Sequence, residues 1–199
     1  WTIMGMSAIP TDHPLGVGML GMHGNYGPNL LTNECDVLIA IGARFDDRVT
    51  GDVKSFAPGA KVIHVDIDPA EIGKIRHADV PIVGDAKVVI AMLIAELEKQ
   101  LAGKKPDFAS WWQFLNGLKE RYPLGYVDLD DGKLAPQTVI KRIGELSGPE
   151  AIYCAGVGQH QMWAAQFISY ERPNSWVNSG GAGTMGYSVP AAMGAKVAQ

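Results

Sequence analysis

Two glycine turns in the second half of the chain have the residue types and spacing to grip an anion: GVGQHQMWAAQ from Gly156 and SGGAGTMGYSVPAAMGAK from Ser179. Each leaves a short apolar run and opens a stretch with helical spacing. A strand, a glycine turn and a helix start present free backbone N–H groups, and the helix dipole favours negative charge at the same place. The turns lie about 25 residues apart, a spacing that suits one phosphate-bearing ligand held by neighbouring strands. Around Gly158, Gln159 and His160 the N–H groups would meet phosphate oxygens. His160 can equally be a helix-cap histidine, and Met185 a packing residue.

A second set of polar residues follows apolar runs in the first half. GARFDDRVTG comes directly after VLIAIG. At the carboxyl edge of a parallel strand, Gly42 lets a ligand approach the backbone, and Arg44 and Arg48 offer charge-assisted donors to a diphosphate, oriented by Asp46 and Asp47. The alternative is a solvated loop whose four charges pair among themselves. Asp66 ends the next apolar run, roughly where nucleotide-binding sheets place an acidic group on ribose hydroxyls. Gly84, Asp85 and Ala86 repeat the arrangement. Three such strand ends favour a nucleotide cofactor. The literal GxGxxG matches at Gly16–Gly21 and Gly181–Gly186 are weaker: the first follows Asp12-His13-Pro14, and the second follows a short, polar-ended strand.

Around these residues the chain reads as alternating strands and helices. Val37–Gly42, Lys61–Asp66 and Pro81–Gly84 have the composition of buried parallel strands. The segment between the first two is polar and turn-rich, and Ala86–Leu101 is helical with a charged outer face. Ala102–Asp107 (AGKKPD) breaks the pattern as a linker. A helix over Phe108–Tyr122 follows, then a loop through Asp128–Gly132 and a helix from Pro136 to Leu146, where proline suits the first turn. Strand Ala151–Ala155, a helix from about Gln159, strand Trp176–Asn178 and a helix from about Met185 complete a second α/β unit.

Composition narrows the classes of function. At 199 residues the chain exceeds one typical domain of about 150. With 47% hydrophobic and 19% charged residues it can bury a core. The net charge of −4 is dispersed, without the basic stripe that nucleic acid requires. The longest apolar run, Val88–Ala95, is far below the roughly 20 residues that span a bilayer, so the chain is expected to be soluble. Cys35 and Cys154 lie in apolar sequence without metal or CxxC spacing, which reads as buried free thiols in a reducing cytoplasm. The five histidines lack ligand spacing. Trp1 and the apolar pattern running into Gln199 read as the ends of an internal fragment.

The ordered set GMLGMHG, GARFDDRVTG, VIHVDIDPAEIGK, PIVGDA, GVGQHQMWAAQF and NSGGAGTMGYSVPAAMGAK resembles the catalytic large subunit of the acetolactate synthase (acetohydroxyacid synthase) family. RFDDR and GQHQMWAAQ are the distinctive pieces, and the match runs in order along nearly the whole chain. The resemblance implies an α/β fold comprising the later half of a Rossmann-like FAD-binding central domain (1–100), a linker with a helix (101–135) and the start of a thiamin diphosphate-binding domain (136–199). It implies condensation of two pyruvates to 2-acetolactate, or of pyruvate with 2-oxobutyrate, with release of CO2, in branched-chain amino-acid biosynthesis. Other thiamin carboligases, such as glyoxylate carboligase, and a non-catalytic nucleotide-binding module are the alternatives.

Carried over by position, FAD would be contacted by Thr2, Ile3 and Met4, by Leu20, Gly21, Met22 and His23, and by Gly42, Ala43 and Arg44. Further contacts would come from Asp46, Asp47, Arg48 and Val49, from Asp66 and Ile67, and from Gly84, Asp85 and Ala86. Gln161, Met162, Ser179, Gly180 and Gly181 would approach its flavin side. Thiamin diphosphate would meet Val157, Gly158, Gln159, His160, Gly183 and Met185. Met185 is the catalytic residue by this reading, an apolar wedge that bends the cofactor and desolvates it. The activating glutamate and the Mg2+ ligands are expected outside these residues. The family also implies at least a dimer, with a regulatory small subunit as a further partner; the dispersed charge and short apolar runs imply no nucleic acid or membrane.

Overall fold

The computed structural model describes residues 1–199. It divides into two units, Asn29–Pro123 and the combination of Trp1–Pro28 with Leu124–Gln199. Helix α1 (Tyr26–Glu34) carries the boundary.

The unit Asn29–Pro123 is built on a three-stranded parallel sheet of β1 (Val37–Ile41), β2 (Lys61–Asp66) and β3 (Val80–Val83), in that spatial order. The register pairs Val37 with Lys61 and Ile63 with Val80. Parallel strands need crossovers, and here they are α2 (Asp47–Thr50) with its flanking turns and the loop after Asp66. Helix α3 (Ala86–Leu101) follows β3, and α4 (Ala109–Arg121) closes the unit. Asp85 caps α3 by accepting hydrogen bonds from the N–H groups of Lys87 and Val88, which fixes the helix start at the end of PIVG.

The core of this unit lies around β2, where Val62, His64 and Val65 are fully buried; Phe45, Phe56 and Ala57 are buried too, and the Phe45 ring meets those of His64 and Phe56. The start of β2 is pinned by the Asp79 carboxylate, which accepts from the Val62 N–H at 2.8 Å. That bond holds the carboxyl below its ordinary range. The expectation of buried strands holds for β2 alone. Val37, Ile39 and Ile41 of β1 and Val80 and Val83 of β3 are exposed, because both are edge strands with no element covering those side chains. Most of the apolar residues of α3 are also exposed, with Val89 its one buried residue.

The other unit holds α5 (Pro136–Ser147), β4 (Tyr153–Ala155), α6 (Gln159–Phe167), β5 (Trp176–Asn178) and α7 (Ser188–Ala198). β4 and β5 pair in parallel, with Tyr153 opposite Trp176 and Ala155 opposite Asn178. Met6, Met19, Ala155, Ala165, Ile168, Tyr170 and Trp176 form its core. Tyr170 meets Tyr153 and Trp176 edge to face and donates its hydroxyl to the Ala164 carbonyl at 2.9 Å. Gly144 lets α5 approach Ile168, since a Cβ there would stand 3.3 Å from the isoleucine side chain.

Two expectations about elements need correction. The last helix begins at Ser188, not near Met185, because Gly183 and Gly186 take left-handed φ values of 64° and 83° and hold the intervening residues in turns. Within the segment read as polar and turn-rich, Asp47–Thr50 makes one helical turn capped by Asp46. Helix α1 has no counterpart in the sequence reading. The two cysteines are free, as expected, but half-buried instead of buried. Desolvation raises both thiols above their ordinary range.

Candidate functional site

The two glycine turns lie at one edge of a sheet. Because β4 and β5 run parallel with Ala155 opposite Asn178, the turns after them leave the same carboxyl end, side by side. Gly158 has φ 144° and ψ −172°, a conformation that only glycine adopts without strain, and it turns the chain from β4 into α6. No side chain caps α6 or α7. The start of α6 therefore offers backbone N–H groups to whatever binds beside it.

The side chains around these turns converge. The His160 ring lies over the first turn, so a Cβ on Gly158 would stand 3.2 Å from Nδ1 and one on Gly156 would stand 3.4 Å from Nε2. The same point on Gly156 is 3.5 Å from the Ser188 hydroxyl at the start of α7, which brings both helix starts together. Within the second turn, the Gly183 N–H donates to the Ser179 carbonyl at 2.7 Å and the Thr184 N–H to the Ser179 hydroxyl at 3.1 Å. Gly181 and Gly183 face open space where a side chain would otherwise stand. Met185 is 80% exposed, so it is a surface apolar group and not a packing residue.

The N-terminal segment supplies further residues of this unit. Gly180 packs against Ile3 and Met4, and a Cβ on it would fall 2.5 Å from the Met4 sulfur. Thr2–Met4 and Ser179–Gly181 are thus neighbours. The loop Leu20–His23 is folded back by bonds from Leu20 N–H to the Trp1 carbonyl at 3.2 Å and from Gly24 N–H to the Gly21 carbonyl at 3.0 Å. Gln166 of α6 donates to the His23 carbonyl at 2.7 Å, and Gln161 lies 3.4 Å from His23 Nε2. Burial lowers the His23 pKa from its ordinary value, and its Nδ1 is buried without a partner. Gln161 is buried and Met162 half-buried on the same helix.

In the unit Asn29–Pro123 the predicted residues gather at the carboxyl edge of the three-stranded sheet. Gly42 follows β1 with φ 63°, and nothing lies within 4 Å of the position its side chain would take. Its N–H donates to the Val65 carbonyl at 2.8 Å, which ties the turn to β2. The charged loop pairs internally: Arg44 bridges Asp46 at 2.6 Å, and Arg48 bonds Asp47. Asp46 also caps α2 through the Arg48 N–H. The pairing suits both earlier readings of this loop, a solvated ion-pair cluster and a set of arginines oriented by carboxylates. Asp66 accepts from the Asp68 N–H, and the Gly84 N–H donates to the Asp66 carbonyl at 2.9 Å, so the ends of β2 and β3 are tied together. Asp85 spends one oxygen on the α3 cap. Val49 is half-buried and Ile67 exposed beside these turns.

Two residues that hold this edge escaped the sequence reading. Phe45 is buried at φ 52°, a strained value for a bulky residue, with its ring edge-on to Phe56 and to His64. It anchors the loop in which Arg44 is exposed and Asp46 half-buried. His64 is the one histidine inside an apolar strand, KVIHVD. A polar ring buried there must find partners, and that requirement was the available signal.

An edge of parallel strands with uncapped helix starts and glycine turns is the arrangement at which α/β proteins take up phosphate groups. Residues 1–93 match the family described as "Thiamine pyrophosphate enzyme, central domain", and residues 156–199 match "Thiamine pyrophosphate enzyme, C-terminal TPP binding domain". Together the matches account for more than half of the chain, and it belongs to the thiamine pyrophosphate enzymes. Within them it is similar to acetolactate synthases. It is 58% identical over 198 residues to an acetolactate synthase of Mycobacterium leprae, covering 100% of this chain and 32% of that protein. It is 56% identical over 195 residues to the acetolactate synthase large subunit of Corynebacterium glutamicum, with 98% and 31% covered. The chloroplastic acetolactate synthase 1 of Zea mays is 48% identical over 197 residues, with 99% and 31% covered. The chain spans about a third of the length of these relatives. No helix is long and apolar enough to cross a membrane.

Proposed function

We propose that the chain is a segment of an acetolactate synthase catalytic subunit and contributes its thiamin diphosphate and FAD surfaces. The observation that carries this reading is the pairing of Ala155 with Asn178, from which both glycine turns leave one sheet edge beside two uncapped helices. The open space at Gly181 and Gly183, and the Gly158 conformation, fit a diphosphate lying against backbone. Bound thiamin diphosphate supplies the electron sink that lets a 2-oxo acid lose CO2.

The roles of this chain's own residues follow. Backbone N–H groups of Val157–His160 hold the diphosphate, and the uncrowded backbone at Gly181 and Gly183 lets it lie against the second turn. Met185 presents an apolar surface that excludes water from the reacting end and favours neutral over charged forms there. Ser179–Gly181, Gln161 and Met162 border the flavin side, together with Thr2–Met4 and Leu20–His23. On the unit Asn29–Pro123, Gly42–Arg44, Asp46–Val49, Asp66, Ile67 and Gly84–Ala86 bind FAD in a Rossmann-like manner. The corresponding domains are 1–100 for FAD and 136–199 for thiamin diphosphate, with 101–135 between them. The Mg2+ ligands and the activating glutamate lie outside these residues.

By the same reading the substrates are pyruvate and 2-oxobutyrate, and the protein is cytoplasmic and at least dimeric, with a regulatory small subunit as partner. The test is to supply the whole protein with thiamin diphosphate, FAD and Mg2+, with pyruvate in one reaction and glyoxylate in another, and to identify the product of each. 2-Acetolactate supports the proposal. A tartronate semialdehyde product from glyoxylate, or no carboligation at all, refutes it.

A further inference from the structure

His64 stands where two loops leave the sheet. It lies on β2 opposite Ala40 and is 0% exposed. Its Nδ1 accepts from the Gly73 N–H at 3.4 Å, which leaves the ring proton on Nε2. Nε2 lies 2.8 Å from the Ala43 carbonyl and donates to it. The ring also meets Phe45 edge-on, at 5.0 Å between centroids and 82° between planes. One buried side chain thus engages the loop after β1 on one nitrogen and the loop after β2 on the other. Each loop carries residues assigned to FAD: Ala43 and Arg44 in the first, Asp66 and Ile67 at the root of the second.

We infer that His64 is a positioning residue for the flavin nucleotide, locking the GARFDDR loop against the DIDPAEIG loop so that both present one preformed binding edge. The inference rests on the FAD reading above. Its physical basis is preorganisation: a loop already fixed in its bound shape loses less conformational freedom on binding. The bond to Ala43 matters most, because it acts one residue from Gly42 and Arg44. Gly42 itself has a free approach and no side chain to steady it.

Two substitutions separate this role from simple core packing. In H64Q the amide nitrogen reaches as far as Nε2 and can still donate to the Ala43 carbonyl. In H64N the shorter chain can accept from Gly73 but leaves Ala43 unbonded. Both variants disturb the core. FAD affinity of the whole protein is read from quenching of flavin fluorescence, alongside thiamin diphosphate affinity by calorimetry. The expected result is that H64N binds FAD about tenfold more weakly, the order of one lost buried hydrogen bond. H64Q should stay within about threefold of the parent, and thiamin diphosphate binding should be unchanged in both. Equal FAD affinity in H64N and the parent, or equal losses in H64N and H64Q, overturns the inference.

A readout without substitution guards against misfolding of the variants. On adding FAD to the parent protein, amide exchange should slow together in residues 42–48 and 67–73. Slowing in one loop alone overturns the coupling. A parent protein that binds thiamin diphosphate but no FAD refutes the flavin reading itself, and the inference falls with it.

Discussion

Gly24 and Met19 are in contact that no side chain on Gly24 can survive: a Cβ there would stand 2.4 Å from the Met19 carbonyl oxygen and 2.5 Å from the Leu20 carbonyl carbon. Both obstacles are backbone, so neither can swing away. The contact folds the Leu20–His23 loop back on itself, with Asn25 N–H donating to Met19 at 2.7 Å. Gly24→Ala is expected to destabilise its unit by about 1–3 kcal/mol, the usual cost of forcing atoms into filled space. The midpoint of urea unfolding measures this, and FAD affinity should fall in the same variant.

Gly158→Ala tests the first glycine turn. An alanine at φ 144° is strained by about 1–3 kcal/mol and meets His160 Nδ1 at 3.2 Å. The residue relieves that strain by rotating, which re-aims the N–H groups at the start of α6. Thiamin diphosphate affinity is expected to drop by about tenfold or more, the order of a lost charge-assisted hydrogen bond. Calorimetric titration of the variant against the parent gives the value.

Tyr170→Phe separates hydrogen bonding from packing in the core around β4 and β5. The hydroxyl is buried deeply enough that desolvation holds its pKa well above the ordinary tyrosine value, and it donates only to Ala164. Ala164 also accepts from the Ile168 N–H at 3.2 Å, so removing the hydroxyl leaves no orphaned acceptor. The expected loss is therefore modest, about 1 kcal/mol. Tyr170→Ala removes the aromatic contacts with Tyr153 and Trp176 as well and should cost about 3–5 kcal/mol, readable by thermal unfolding.

His23 gives its unit a pH dependence. Burial lowers its pKa in the folded chain, while the unfolded chain titrates near the ordinary 6.5. Between those two values the unfolded state binds more protons, so stability declines as pH falls below about 6.5. Stability measured at pH 5.5 should be lower than at pH 7.5, and His23→Gln should narrow that difference. An unchanged difference in the variant would assign the effect to other groups.

Much of this arrangement was legible in the residues, and the gaps have physical causes. The bounds of β2 and α3 could be read directly because Asp85 caps a long apolar helix and Lys61–Asp66 is flanked by turn residues. Helix α1 was missed because YGPNLLTNE places Gly and Pro in its first turn, where proline costs nothing but looks like a break. The start of α7 was set too early because helical spacing continues upstream through Met185, while left-handed glycines delay the helix. The exposure of β1 and β3 is not written in their own residues, since an apolar strand carries no record of what covers it. The roles of His64 and Phe45 are tertiary: each depends on partners brought close only when β1 and β2 pair.

On the proposed function, the turns at Gly158 and Gly183 share one diphosphate. A crystal structure of the whole protein with thiamin diphosphate and Mg2+ decides whether they do. Diphosphate oxygens are expected at hydrogen-bond distance, about 2.7–3.2 Å, from backbone nitrogens of Val157–His160, lying against the Gly181–Gly183 backbone, with Met185 against the rings. A diphosphate bound at another edge of the protein, with these nitrogens facing solvent, would contradict the proposal.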